Sequence, residues 1–99
     1  MAQQFDVFRM SDGMLVVVIQ NDLLDAVRTR VVAPLLPVGR AGPPMRGLNP
    51  EFQMGAERVV LMPQLLATLA LPELGERVGS LAPMRDDIVR ALDILLAGV

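Results

Sequence analysis

The chain has 99 residues, enough for one domain with one core, and 53% of them are hydrophobic while only 3% are aromatic. It has no cysteine, which excludes a disulfide framework and thiolate chemistry. The net charge is −2 and the nine basic residues are all arginine, so no overall basic footprint of a nucleic-acid binder is present.

The core must be aliphatic, built from Leu, Val, Ile and Met. So apolar a small chain is expected to bury part of its surface between subunits, because contiguous apolar patches are rare on monomers. Met1-Ala2-Gln3-Gln4-Phe5-Asp6 carries no basic region followed by an apolar stretch, so it does not read as a signal peptide. The longest apolar run, Met14 to Ile19, is too short to span a bilayer. A soluble, cytoplasmic protein is expected.

Gln4 to Met10 reads as a first strand, with Phe5, Val7 and Phe8 as its apolar positions. Ser11-Asp12-Gly13 is a turn signal, and Met14 to Gln20 is a second strand, so the two form a hairpin. The near-continuous Val/Ile run of the second strand suits burial on both faces. Asn21 to Thr29 reads equally as a loop or as a short helix capped by Asn21 or Asp22. Arg30 to Leu36 is a third strand, which Pro34 demotes to an edge or a bulge. Pro37 to Pro50 is a Pro/Gly-rich mobile connection carrying Arg40 and Arg46.

Glu51 to Met54 and Arg58 to Met62 form a second hairpin around Gly55-Ala56-Glu57. Pro63 to Ala67 makes one helical turn, and Leu69 to Leu71 is a short strand ended by Pro72. The last element is a helix from Pro83 or Met84 to Leu96. Its stripe is Met84, Ile88, Ala91, Leu92 and Leu95, its first turn carries Asp86 and Asp87, and Gly98 stops it. Asp86 with Arg90 and Arg90 with Asp93 are spaced for helical ion pairs. Several short strands followed by a terminal helix give an α+β architecture, a small antiparallel sheet or barrel with the helix packed on it, as one domain over residues 1–99.

The sequence holds no His, Cys, Lys, Tyr or Trp, which removes most general bases, nucleophiles and zinc ligands. No phosphate-binding glycine loop is present. The chain is therefore expected not to be an enzyme and to need no cofactor and no metal. Arg28 with Asp25, or Arg30 with Asp22, is able to imitate the Arg–acid pair of a ribonuclease, but a surface ion pair that fixes the loop is the preferred reading.

Gln20-Asn21-Asp22-Leu23-Leu24-Asp25 followed by Arg30-Val31-Val32-Ala33-Pro34-Leu35 carries the most specific information in the chain. Phe5-Asp6-Val7, Gly75-Glu76-Arg77-Val78-Gly79-Ser80-Leu81 and Asp87-Ile88 through Leu95 add to it. In order and spacing these segments resemble the CcdB family of plasmid and chromosomal toxins over nearly the whole chain, with loop-length differences near Ser11 and between residues 26 and 60. The resemblance implies an SH3-like barrel of the CcdB/MazF type and makes Asn21 to Thr29 a loop. It also implies a type II toxin–antitoxin system toxin that binds the A subunit of DNA gyrase as a homodimer and is neutralised by a cognate antitoxin peptide.

The gyrase-facing positions implied by the resemblance are Leu23, Leu24, Asp93, Ala97, Gly98 and Val99. Family members that poison gyrase end in Trp-Gly-Ile, whereas this chain ends Ala97-Gly98-Val99, which removes an aromatic anchor of the kind that dominates interfaces. An apolar tail needs a cover, and a second copy of the helix end across a two-fold axis supplies it through Leu95, Leu96 and Val99. Arg9, Arg40 and Arg46 are assigned from charge as anchors for antitoxin carboxylates. The alternatives are a divergent or degenerate member with another target and, further from these residues, a MazF-like ribonuclease.

Overall fold

The computed structural model describes residues 2–98. Strands β1 (Asp6–Arg9) and β2 (Leu15–Val18) pair antiparallel with Val7 opposite Val17, as the hairpin reading requires. Alternation then sorts their side chains. Val7, Leu15 and Val17 enter one core, and Phe8, Val16 and Val18 enter another on the opposite face. The unbroken apolar run of β2 is thus explained, since all four of its residues are buried.

β3 (Thr29–Pro37) is the central strand, and this corrects the edge placement read from Pro34. One side of β3 is covered by β2. The other side is covered first by β6 (Ala67–Ala70), up to Val32, and then by β5 (Glu57–Leu61), from Leu35. Pro34 falls at the changeover and its carbonyl accepts the Met62 N–H at 3.0 Å on that side. Its missing N–H therefore leaves no ladder bond unmade.

β4 (Glu51–Met54) pairs with β5, and β7 (Glu76–Ser80) pairs with β1. The resulting order is β4-β5-β3-β2-β1-β7, with β6 on β3, a curled antiparallel sheet. Its two ends approach each other, because a Cβ on Gly79 of β7 would lie 3.1 Å from the Met54 methyl of β4. β7 was not read as a strand from the sequence. Its only large apolar residue is Val78, and its pairing with β1 is broken by a bulge, so no period of two is visible.

Helix α1 (Arg85–Ala97) closes the concave side. Ile88 and Ala91 are fully buried against Phe5, Phe52, Val59 and Leu61, while Val89 and Leu92 pack at the margin. Pro83 lies in a preceding 3-10 turn, Ala82–Met84, and not in the helix itself. Met84 is exposed, which removes it from the stripe. The expected Asp86–Arg90 and Arg90–Asp93 pairs are not among the ion pairs of the described residues, where Arg85 meets Asp86 at 3.8 Å instead. Gly98, at φ +79°, ends the helix and donates its N–H to the Ile94 carbonyl at 3.0 Å.

Residues 37–50 are more ordered by bonding than the Pro/Gly composition suggests. A 3-10 turn spans Val38–Arg40, Leu48 is buried, and the buried Asn49 donates to the Leu61 carbonyl at 3.0 Å and accepts from the Met45 N–H at 2.9 Å. Gly47 lies close under α1, where a Cβ would stand 2.7 Å from the Ile94 Cδ1 atom.

Candidate functional site

Three surfaces carry the residues singled out from the sequence. The first is the segment between β2 and β3. It is neither an extended loop nor an α-helix: a 3-10 turn, Asp22–Leu24, begins at Asn21, whose side-chain oxygen accepts the Leu23 N–H at 2.8 Å. Asp22 Oδ1 accepts the Gln4 N–H at 2.8 Å, tying the turn to the N-terminal segment. The turn buries none of its own side chains, and Leu23 is 90% exposed and Leu24 52% exposed.

The Arg–acid pairs considered for this segment do not form. Arg30 is 2% exposed and spends its guanidinium on backbone carbonyls, not on the Asp22 carboxylate. Arg28 and Asp25 are both exposed and do not pair among the described residues, where the acidic partners of arginine are Glu51 for Arg58, Asp6 for Arg77 and Asp86 for Arg85.

The second surface is the end of α1. Asp93, Ala97 and Gly98 are exposed, Leu95 is half-buried, and Leu96 is 78% exposed. Val99 lies outside the described residues. The helix packs beside the 3-10 turn Pro63–Leu65, where Leu65 and the following Leu66 are also exposed.

The third surface is a pair of grooves. One, of about 510 Å³, lies between the β4–β5 turn and the ends of β1 and β2 and is lined by Arg9, Leu15, Met54, Glu57 and Val78. The other, of about 370 Å³, is lined by Asp12, Leu15, Leu36, Arg40 and Glu57. Leu15 and Glu57 belong to both, so the structure brings Arg9 and Arg40 to neighbouring grooves, while Arg46 lines neither. Glu57 was not singled out from the sequence. It is the first residue of β5, just after the Gly55-Ala56 turn, and only the curl of the sheet brings it to line both grooves. A carboxylate beside arginines is a set able to hold an anion or to move a proton. Among the described residues no group of three or more acidic, His or Cys residues is placed to hold a metal ion.

The family model for CcdB, "CcdB protein", matches residues 4–98. The chain belongs to the CcdB family. By that membership it is a toxin of the toxin–antitoxin type. No curated protein matches the sequence. Among solved structures, the fold of this CcdB-family chain is similar to an endoribonuclease from Mycobacterial species. The TM-score is 0.80 at 16% identity, over 95% of this chain and 89% of that one. It is also similar to an endoribonuclease in complex with its cognate antitoxin from Mycobacterial species, with a TM-score of 0.79 at 17% identity, over 95% of this chain and 93% of that one.

These likenesses bear out the α+β small-barrel expectation. They overturn the exclusion of enzyme function that was drawn from the missing His, Lys, Cys, Tyr and Trp. The scaffold is one that endoribonucleases use, so the lack of those residue types does not exclude an enzymatic toxin. No helix of the described residues is long and apolar enough to cross a membrane.

Proposed function

We propose that this CcdB-family toxin acts on the A subunit of DNA gyrase as a homodimer in the cytoplasm, and is held in check by a cognate antitoxin. The observation that carries this reading is the display of apolar side chains in water at two fixed places, Leu23 and Leu24 on the 3-10 turn and Leu96 at the end of α1. Isolated surface leucines are ordinary, but Leu65, Leu66 and Leu96 are all exposed on α1 and on or beside the turn that packs against it, which favours a covered surface. A two-fold partner seated on Leu95, Leu96 and Val99 would cover that end and present Asp93, Ala97 and Gly98 of both copies together. Ala97 replaces the tryptophan of gyrase-poisoning members, so the contact with gyrase lacks its aromatic anchor.

An antitoxin is supported by a structural neighbour that is itself in complex with one. The grooves of Arg9 and Arg40 suit carboxylates of an acidic peptide, and Arg46 stands on the exposed 42–47 segment as an outlying anchor. Charge reversal at Arg9 or Arg40 is expected to weaken antitoxin binding by about tenfold or more, measured by calorimetry. Unchanged affinity removes these residues from the antitoxin surface.

Expression in the absence of the antitoxin is the test of the whole reading. Growth arrest with trapped gyrase–DNA cleavage complexes supports it. No arrest would favour a degenerate member with another target. A second reading is favoured by one observation, Glu57 lining both grooves beside Arg9 and Arg40. There a carboxylate would take the proton of a ribose hydroxyl and the guanidinium groups would hold the phosphate. Arrest with cleaved RNA, abolished by Glu57→Gln, would establish that endoribonuclease reading in place of the first.

A further inference from the structure

Arg30 is the largest of the side chains buried to below 2% or so, and it is a cation. Among the described residues no carboxylate forms an ion pair with it. Nε donates to the Ala2 carbonyl at 3.0 Å, Nη1 to the Thr29 carbonyl at 2.9 Å and to the Val27 carbonyl, and Nη2 to the Asp25 carbonyl at 3.1 Å. Burying a charge in this way is costly, and an aliphatic residue at this β3 position would extend the second core at less cost. What the arginine does that an aliphatic residue cannot is tie three carbonyls of the 25–29 segment and one of the N-terminal segment to a single rigid group.

The segment it holds has no apolar anchor of its own. From Asn21 to Arg28 every residue is exposed. Its other fastenings are polar as well. Gln20 accepts from the Val31 N–H at 3.0 Å and donates to the Leu24 carbonyl at 3.3 Å, Asn21 caps the turn, and Asp22 takes the Gln4 N–H. The apolar side chains of the segment, Leu23, Leu24 and Val27, are turned outward. A loop that buries nothing and yet is tied at several points to distant chain is built to present those side chains in one arrangement.

We infer that Arg30 is a positioning residue: its carbonyl-bound guanidinium freezes the 21–29 segment so that Leu23 and Leu24 meet a protein partner already ordered. This rests on the gyrase reading for the identity of the partner, and not for the ordering itself. An ordered tip loses less entropy on binding, so the arginine acts on affinity without touching the partner.

The test uses the full chain with Arg30→Lys, which keeps the charge but loses the planar fork, alongside Gln20→Ala, which removes a separate fastening of the same segment. Amide exchange, thermal unfolding and binding to purified gyrase A subunit are measured at a temperature where each variant is fully folded. The expected result is faster exchange confined to Leu23 through Val27, by about tenfold, with β2 and α1 unchanged, and gyrase binding weakened by about tenfold. Gln20→Ala shifts both readouts in the same direction by less, and keeps the test standing if Arg30→Lys does not fold.

Exchange that is unchanged, or raised evenly over the whole molecule, overturns the positioning role and leaves Arg30 a structural residue only. Leu23→Asp separates the two readings. If it abolishes gyrase binding while Arg30→Lys and Gln20→Ala bind like the parent, positioning is wrong and the gyrase surface stands. If it leaves gyrase binding intact, the gyrase surface is wrong, and the exchange result alone then decides whether Arg30 orders the loop.

Discussion

Gly75 shows how much a single residue constrains this sheet. A Cβ at that position would lie inside the van der Waals envelope of the Arg9 carbonyl oxygen, so any other side chain would force β7 away from β1. Gly39 has open space around it and no left-handed backbone. Gly75→Ala is therefore expected to destabilise the fold by about 2–4 kcal/mol in urea unfolding, and Gly39→Ala by less than about 0.5 kcal/mol. Asn49 is the comparable polar case. It joins Met45, Leu61 and the Gln64 side chain, and Asn49→Ala strands those partners at a cost of about 2 kcal/mol, read in the same unfolding experiment. Neither residue was legible in the sequence, because the Arg9 carbonyl beside Gly75 and the Leu61 and Gln64 partners of Asn49 are distant in the chain.

Among the elements, those with a clean local period were legible and those stabilised by position were not. The β1–β2 hairpin, the β4–β5 hairpin and α1 each declare themselves by turn residues or by apolar spacing, and the structure places them within a few residues of expectation. β7 exists because β1 has a free edge, and its own five residues carry no signal for it. Pro34 misled for the related reason that a central strand can change partners beside a proline. The contrast between α1 and the turn before it leads to a prediction: Ile88→Ala, at the fully buried contact, is expected to cost about 2–4 kcal/mol in thermal or urea unfolding, and Met84→Ala under about 0.5 kcal/mol. Equal effects would mean that the helix does not close the inner core as described. The candidate surfaces divide in the same way. Leu23, Leu24 and the α1 end were visible as sequence motifs, whereas Glu57 and the carbonyl-bound state of Arg30 required the fold.

At the scale of the molecule, the proposed action on gyrase rests on a proposed dimer that joins apolar helix ends. Leu96→Arg adds a charge at the most exposed apolar position of that end and is expected to convert a dimer into a monomer in sedimentation equilibrium without loss of folding. In the proposed gyrase contact, Ala97 stands where gyrase-poisoning family members carry tryptophan, so that contact is adjustable. Restoring the aromatic anchor with Ala97→Trp should tighten gyrase binding by about 2 kcal/mol. The most direct measurement is a cleavage assay with purified gyrase, supercoiled DNA and the purified toxin, run beside the Ala97→Trp variant. Linear DNA released from protein-trapped complexes by the parent chain, at lower concentration by the variant, is the expected result. Intact DNA in both reactions, with labelled RNA cut by the same preparations, would contradict it.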